Sequence, residues 1–167
     1  MIKRFVVMGV SGCGKSSIGA SFAAQISADF VDGDDLHPAK NIAKMAAGIP
    51  LDDADRGPWL MAVGQTFADH GLPLVIGCSA LKYSYRDIIR SAAGGGPIAF
   101  LHLYGARDVI ASRIARRKDH FMPTTLLDSQ LLALEQLGPD ENAVRVNIDQ
   151  SPDAIVAELV AHFRKST

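Results

Sequence analysis

The chain has 167 residues, 48% of them hydrophobic, and its 17 Lys and Arg against 18 Asp and Glu leave a formal net charge of -1. This predicts one compact domain spanning residues 1–167, and it excludes the broad electrostatic surface that nucleic acid or an anionic membrane would need. A mean hydropathy of +0.13 excludes a disordered composition, and no apolar run approaches the roughly 18 residues of a membrane span. The two cysteines, Cys13 and Cys78, sit in no metal-ligand spacing and no C-x-x-C pair. A disulfide scaffold or structural zinc is therefore not expected, and a reducing cytoplasm is. The N-terminal apolar run is too short for a signal peptide.

In chain order, Phe5-Val6-Val7-Met8 reads as a buried strand of the parallel kind that stops at Gly9. A glycine loop follows, then a helix from residue 15 to about 26 on the apolar spacing of Ile18, Phe22, Ala23 and Ile26, then a second short strand over residues 28–32. Apolar runs at 73–78, 98–103 and 143–148 are three further strands, each flanked by helical periodicity. A helix with Leu60, Val63 and Phe67 on one face is expected to be capped by Asp53 or Asp55, with Pro58 in its first turn. Ile155, Val156, Leu159, Val160 and Phe163 stripe a terminal helix that starts at Ser151-Pro152. Strands alternating with helices predict a three-layer α/β fold, a doubly wound, five-stranded parallel sheet with right-handed crossovers. Two polar segments exceed what such a fold requires, residues 32–59 and 116–125; the first is expected to carry specificity and the second to form a lid.

The string Gly9-Val10-Ser11-Gly12-Cys13-Gly14-Lys15-Ser16 matches G-x-x-x-x-G-K-[ST] between a predicted strand and a predicted helix. Glycines let consecutive backbone N–H groups curl around a phosphate, and the helix aims its positive end at the same anion. Gly9, Ser11, Gly12, Cys13, Gly14, Lys15, Ser16 and Ser17 are therefore the candidate nucleotide contacts. Lys15 would bridge the β- and γ-phosphates, and the Ser16 hydroxyl would face Mg²⁺. Cys13 occupies a variable position, where its backbone rather than its thiol should matter. Such a loop is shared by kinases, switch GTPases and motor ATPases. A GTPase would need D-x-x-G and N-K-x-D motifs, which are missing in suitable places, and a motor would need a strand ending in Asp, whereas the third strand ends Ile76-Gly77-Cys78-Ser79.

The acidic cluster Asp32-Gly33-Asp34-Asp35 lies at the carboxyl end of the second strand, the edge of an open parallel sheet where ligands bind. In an extended segment Asp32 and Asp34 share a side; Asp32 would support the metal and Asp34 would take a proton from an acceptor hydroxyl. The alternative is that these acids simply cap the next helix, with Asp34 or Asp35 as the cap. His37, Asn41 and Lys44 recur at i, i+4 and i+7, either a polar stripe that grips hydroxyls or an ordinary solvated face. Arg56 suits bidentate capture of a carboxylate, or a salt bridge with its acidic neighbours. Lys82 and Arg86, at i and i+4, are expected to form the far wall of an acceptor pocket. Arg113, Arg117 and His120, at i, i+4 and i+7 beside Arg116 and Lys118, are expected on a lid over the phosphates. The two arginines are candidate catalytic cations there, and His120 a candidate acceptor contact.

With these residues in view the chain resembles the gluconate kinases of the small phosphate-loop type, which are related to shikimate kinases. The phosphate loop itself is generic. Asp32-Gly33-Asp34 with Leu36-His37-Pro38, Asn41-Ile42-Ala43-Lys44-Met45, Pro50-Leu51-Asp52-Asp53-Ala54-Asp55-Arg56 with Pro58-Trp59-Leu60, and Cys78-Ser79-Ala80-Leu81-Lys82 followed by Tyr85-Arg86-Asp87 carry the likeness. It continues through Ser112-Arg113 and His120-Phe121 to Gln130 and Glu135. The resemblance implies transfer of the ATP γ-phosphoryl group to the 6-hydroxyl of D-gluconate with Mg²⁺, in a cytoplasmic homodimer. A related small kinase for shikimate or another polyol acid, or a nucleotide-binding sensor without acceptor chemistry, are the competing expectations. Two positions depart from the family pattern: Cys13 stands where serine is usual, and Asp119 where glycine is usual.

Overall fold

The computed structural model describes residues 1–117 and 124–164. Five parallel strands, β1 (Arg4–Met8), β2 (Asp29–Asp32), β3 (Leu74–Gly77), β4 (Ile98–Tyr104) and β5 (Ala143–Asn147), form one sheet in the order β2-β3-β1-β4-β5. The helices are α1 (Lys15–Gln25), α2 (Ala39–Ala46), α3 (Asp53–Asp69), α4 (Tyr83–Ala92), α5 (Arg107–Ala115), α6 (Thr124–Ala133) and α7 (Pro152–Arg164), with a 3₁₀ turn at Gly33–Leu36. All five expected strands are present, and the sheet is the doubly wound one that the alternation of elements implies.

Each strand divides its side chains between two cores, because successive residues of a strand point to opposite faces. Phe5 and Val7 join Phe22 of α1, Ile110 of α5, Leu127 of α6 and Leu159 of α7 on one face. Val6 and Met8 join Trp59, Leu60, Val63 and Phe67 of α3 and Tyr85 and Ile89 of α4 on the other. With both faces covered, the central strand is a continuous apolar run. β1 pairs with β3 on one side and β4 on the other. The carboxyl ends of β1 and β3 thus sit beside the point where the winding reverses, where such sheets open a ligand crevice.

Local signals account for most element ends, with three corrections. Helix α3 starts at a capping box made by Asp52, whose Oδ1 accepts from the Asp55 N–H at 2.7 Å while Asp55 Oδ2 accepts from the Asp52 N–H at 3.1 Å. The cap is therefore Asp52 rather than Asp53 or Asp55, and Pro58 falls inside the helix instead of in its first turn. Helix α2 begins at Ala39, so His37, extended at φ -62 and ψ 135, stands ahead of the helix and shares no helical face with Asn41 and Lys44. Helix α5 ends at Ala115. Arg117 consequently lies beyond the helix that carries Arg113.

The largest correction concerns Arg86. It is 0% exposed and belongs to the core of the molecule rather than to a cleft wall. Its Nε and Nη2 donate to Glu141 Oε1 and Oε2 at 2.7 and 3.1 Å, and its Nη1 donates to the Ala80 and Leu81 carbonyls at 2.9 and 3.1 Å. Arg90 adds a third bond to Glu141 Oε1 at 2.8 Å. The guanidinium thereby locks the turn after β3 to the connection that precedes β5. Burial by itself would push the Glu141 carboxyl up, but the bonds from Arg86, the Gly138 amide and Arg90 outweigh it and hold the group below its ordinary 4.5. A carboxyl depressed in the folded state stabilises above its unfolded value and loses that contribution as the pH falls through the folded one. Stability is therefore expected to decline below about pH 4.5. Replacing Arg86 by Ala leaves a buried carboxylate with only Arg90 and the Gly138 amide among the partners described, and is expected to cost about 3 kcal/mol in urea unfolding. The double replacement Arg86→Met with Glu141→Leu should recover part of that loss, since the buried carboxylate is then gone and Arg90 keeps Asp87.

Candidate active site

The phosphate loop folds as its glycines permit. Gly9, Gly12 and Gly14 adopt φ of 146, 85 and 94. A Cβ on Gly12 would come within 2.4 Å of Ile114 Cγ1, so the loop can lie directly on α5 only because that side chain is missing. Gly14 is the N-cap of α1, and neither a capping side chain nor an acidic residue in the first turn satisfies or neutralises the helix start. Its leading N–H groups remain donors for an anion. Lys15 Nζ lies 3.1 Å from both the Gly9 and Val10 carbonyls, folded over the loop it serves.

Across the crevice, Ser16 Oγ donates to Asp32 Oδ2 at 2.9 Å, joining the start of α1 to the end of β2. Asp32 Oδ1 accepts from the Asp34 N–H at 3.0 Å, so Asp32 caps the 3₁₀ turn while facing the loop. The cap of this turn is thus Asp32 rather than Asp34 or Asp35, and the same carboxylate also meets Ser16. Asp34 lies inside the turn rather than in an extended strand, so the two carboxylates are separated by the turn and do not share a strand face. Gly33 allows the turn to press on β3, since a Cβ there would come within 2.2 Å of the Gly77 carbonyl. A Cβ on Gly77 would lie 4.0 Å from Lys15 Cβ, and Gly33, the neighbour of Asp34, presses on the Gly77 carbonyl, so both residues border the same end of β3. The Cys78 thiol is itself pushed up to about 12, chiefly by burial, and is no nucleophile.

The turn is fixed from behind by Trp59, whose Nε1 donates to the Gly33 carbonyl at 2.8 Å. The His37 ring stacks on the Trp59 ring, with centroids 4.1 Å apart and planes at 16°. Burial holds the imidazole below its ordinary value, and Arg56 adds to the effect against the opposing charge of Asp34, so His37 is neutral at physiological pH. Asn41 Nδ2 lies 2.9 Å from the Asp55 carbonyl and 3.2 Å from His37 Nδ1. A carbonyl only accepts, so this atom is the amide nitrogen, and the neutral ring keeps its proton on Nε2 as a donor. Lys44 is taken up by an ion pair with Asp55 at 2.8 Å while staying 38% exposed.

Arg56 and Lys82 come together over Tyr85, a grouping that local spacing does not reveal. The Arg56 guanidinium lies 5.7 Å and the Lys82 ammonium 5.4 Å from the Tyr85 ring centre. Arg56 Nη1 is 3.5 Å from the phenol oxygen, which donates to Asp53 Oδ1, and Lys82 reaches both Asp53 oxygens at 3.4 Å. The Tyr85 bond, then Lys82 and Arg56, hold the Asp53 carboxyl below its usual range. Two cations and a phenol around one carboxylate make a group suited to an anionic acceptor. Sequence reasoning missed Tyr85 and Asp53 as members of it.

Arg113 does not stand free over the crevice: its Nη2 donates to the Ile148 carbonyl, tying α5 to the end of β5. The Arg117 N–H donates to the Ile114 carbonyl at 3.1 Å, which keeps this exposed residue within a turn of the side chain beneath Gly12. His120 and most of the segment 116–125 lie outside the described residues. Sequence reading also leaves α6 without a role, although Leu127, Leu131 and Leu134 give it an apolar spacing. From this helix Gln130 reaches back to Ser11 of the phosphate loop.

A lysine-bearing loop at a helix start, an oxygen pair beside it, a carboxylate-bearing turn at the same sheet end and a cationic group over Tyr85 are the kinds of group that phosphoryl transfer uses. No protein-family model matches the chain. The chain is 44% identical to the gluconokinase of Gluconobacter oxydans (strain 621H) over 164 residues, covering 95% of this chain and 90% of that protein. It is 48% identical to the thermosensitive gluconokinase of Escherichia coli (strain K12) over 152 residues, covering 88% and 80%. The crystal structure of a gluconokinase from Sinorhizobium meliloti 1021 superposes with a TM-score of 0.84 at 44% identity, covering 98% of this chain and 97% of that one. A shikimate kinase from Bacteroides thetaiotaomicron, with a TM-score of 0.67 at 18% identity over 96% and 98% of the two chains, shares the phosphate-loop kinase fold. Sequence identity at this level over nearly the whole length places the chain in the gluconokinase family.

Proposed function

We propose that this chain, acting as a single kinase domain, transfers the γ-phosphoryl group of ATP to the 6-hydroxyl of D-gluconate, giving 6-phospho-D-gluconate and ADP. The observation that carries the reading is the packing of Lys15 and of the Gly33–Leu36 turn that bears Asp34 against Gly77 at one end of β3, in a member of the gluconokinase family. The loop amides, the start of α1 and Lys15 would hold the nucleotide phosphates. Asp34 would orient the 6-hydroxyl and take its proton as the bond from O6 to the γ-phosphorus forms and the bond to the ADP oxygen breaks. The proton stays on the Asp34 carboxyl until ADP and product leave. Such transfer depends mostly on alignment and on neutralising charge, so few groups are needed.

Ser16 Oγ and the Asp32 carboxylate, an all-oxygen pair 2.9 Å apart at the mouth of the loop, fit Mg²⁺, which takes few protein ligands and keeps the rest as water and phosphate. When bound, Mg²⁺ would offset phosphate charge there. Arg56 is proposed for the gluconate carboxylate, with Lys82 beside it and His37 Nε2 and Lys44 for hydroxyls. Arg117 is the proposed cation over the phosphates, supported by its place one turn from Ile114, which packs beneath Gly12, and His120 keeps its proposed acceptor contact.

The chain is further proposed to work as a cytoplasmic homodimer. Free, buried Cys13 and Cys78 support a reducing compartment, and among the described residues no helix is long and apolar enough to cross a membrane. Release of ADP from MgATP tests the reaction, with D-gluconate, shikimate and no acceptor compared. Stimulation by gluconate alone is expected, and equal slow release in all three would leave a nucleotide-binding sensor.

A further inference from the structure

We infer that Gln130 of α6 is a positioning residue for the phosphate loop, which it clamps at Ser11 through two hydrogen bonds. The Ser11 N–H donates to Gln130 Oε1 at 2.7 Å, and Gln130 Nε2 donates to Ser11 Oγ at 3.0 Å, across 119 residues of sequence. A side-chain amide is thereby spent on the main-chain N–H and the hydroxyl of one loop residue. The Ser11 amide is committed to this clamp, so the phosphate cradle is left to the N–H groups that follow it, although sequence reading counts Ser11 among the nucleotide contacts.

The physical need is plain. Three of the six residues from Gly9 to Gly14 are glycines, all at positive φ. Such a backbone has many alternatives to the one conformation that aims its donors inward, and choosing it costs entropy at the moment of binding. A clamp made beforehand removes part of that cost, as preorganisation does in general. Gln130 can serve because α6 is itself fixed: Leu127, one turn earlier, is fully buried in the core beside Ile110. Asp128 of the same helix holds Arg107 of α5 through bonds of 2.5 and 3.1 Å. The role depends on nucleotide binding by the loop and is independent of the acceptor's identity.

The test measures MgADP binding by titration calorimetry on the whole protein, with steady-state constants and thermal midpoints alongside. Gln130→Ala is expected to weaken MgADP binding about tenfold and raise KM for MgATP to match, with KM for D-gluconate unchanged within twofold. Gln130→Asn, one methylene too short to span both bonds, should behave as Gln130→Ala does. Asp128→Ala loosens α6 from α5 without touching the loop, and it separates positioning from general stability. An equal lowering of the thermal midpoint by Asp128→Ala with MgADP affinity intact would support the clamp. Equal loss of affinity in Asp128→Ala and Gln130→Ala, or unchanged affinity in Gln130→Ala, would overturn it. Because the calorimetric readout needs no acceptor, a failure of the gluconate reading would leave this outcome unaffected.

Discussion

Lys15→Ala is expected to lower kcat/KM for MgATP by on the order of 10³ while moving the thermal midpoint by no more than about 3 °C. Lys15 is the only side-chain cation in the string from Gly9 to Ser16. Charge that develops on the transferring group therefore loses the one side-chain counter-charge carried by the phosphate loop itself. The fold should tolerate the loss. Among the described residues the Lys15 ammonium bonds only to the Gly9 and Val10 carbonyls, the loop keeps its Cys13 N–H to Val10 carbonyl bond at 3.3 Å, and the core beneath is untouched. Lys15→Arg should not restore the rate, because a planar guanidinium cannot occupy the place of a compact ammonium against the same two carbonyls. Steady-state kinetics and a melting curve on each variant check this; near-normal turnover in Lys15→Ala would remove the loop from the chemistry.

The second large effect is expected at Asp34. Asp34→Asn should lower kcat by about 10² to 10⁴, the usual contribution of a positioned general base, with KM for MgATP little changed. The turn that carries it does not depend on the carboxyl. Asp34 is tied to Asp32 through its main-chain N–H at 3.0 Å, a bond the amide side chain leaves alone, and Trp59 holds the preceding carbonyl. A loss confined to kcat therefore reads proton transfer and alignment rather than collapse of the turn. Retention of near-normal kcat in Asp34→Asn would show that the acceptor hydroxyl gives up its proton elsewhere.

What can be read from the sequence is what short-range chemistry decides. Phe5-Val6-Val7-Met8 announces a central strand because a strand covered on both faces needs no alternation, and the phosphate loop announces itself because glycine, lysine and serine each have a separate task there. Asp32 is legible as an acid at a strand end, and the structure shows it bonded both to Ser16 and to the turn it caps. Arg86 is illegible for the opposite reason. Its spacing from Lys82 suits an exposed pair, and only Glu141, 55 residues away, decides that the guanidinium is buried. Gln130 and Ser11, the Tyr85 group around Asp53, and the tie from Arg113 to Ile148 are likewise long-range contacts without a local trace. Asp52 rather than Asp53 or Asp55 becomes the α3 cap because several neighbouring acids satisfy the same preference, and only the reciprocal bond with Asp55 separates them.

The most direct test of the account is the position of the phosphoryl group in the product. MgATP and D-gluconate incubated with the enzyme should give ADP and one new phosphomonoester in equal amounts, and phosphorus–proton correlation in the NMR spectrum should place that phosphorus on the C6 methylene. A new ester on another carbon, or ADP accumulating with inorganic phosphate and no ester, would contradict transfer to the 6-hydroxyl.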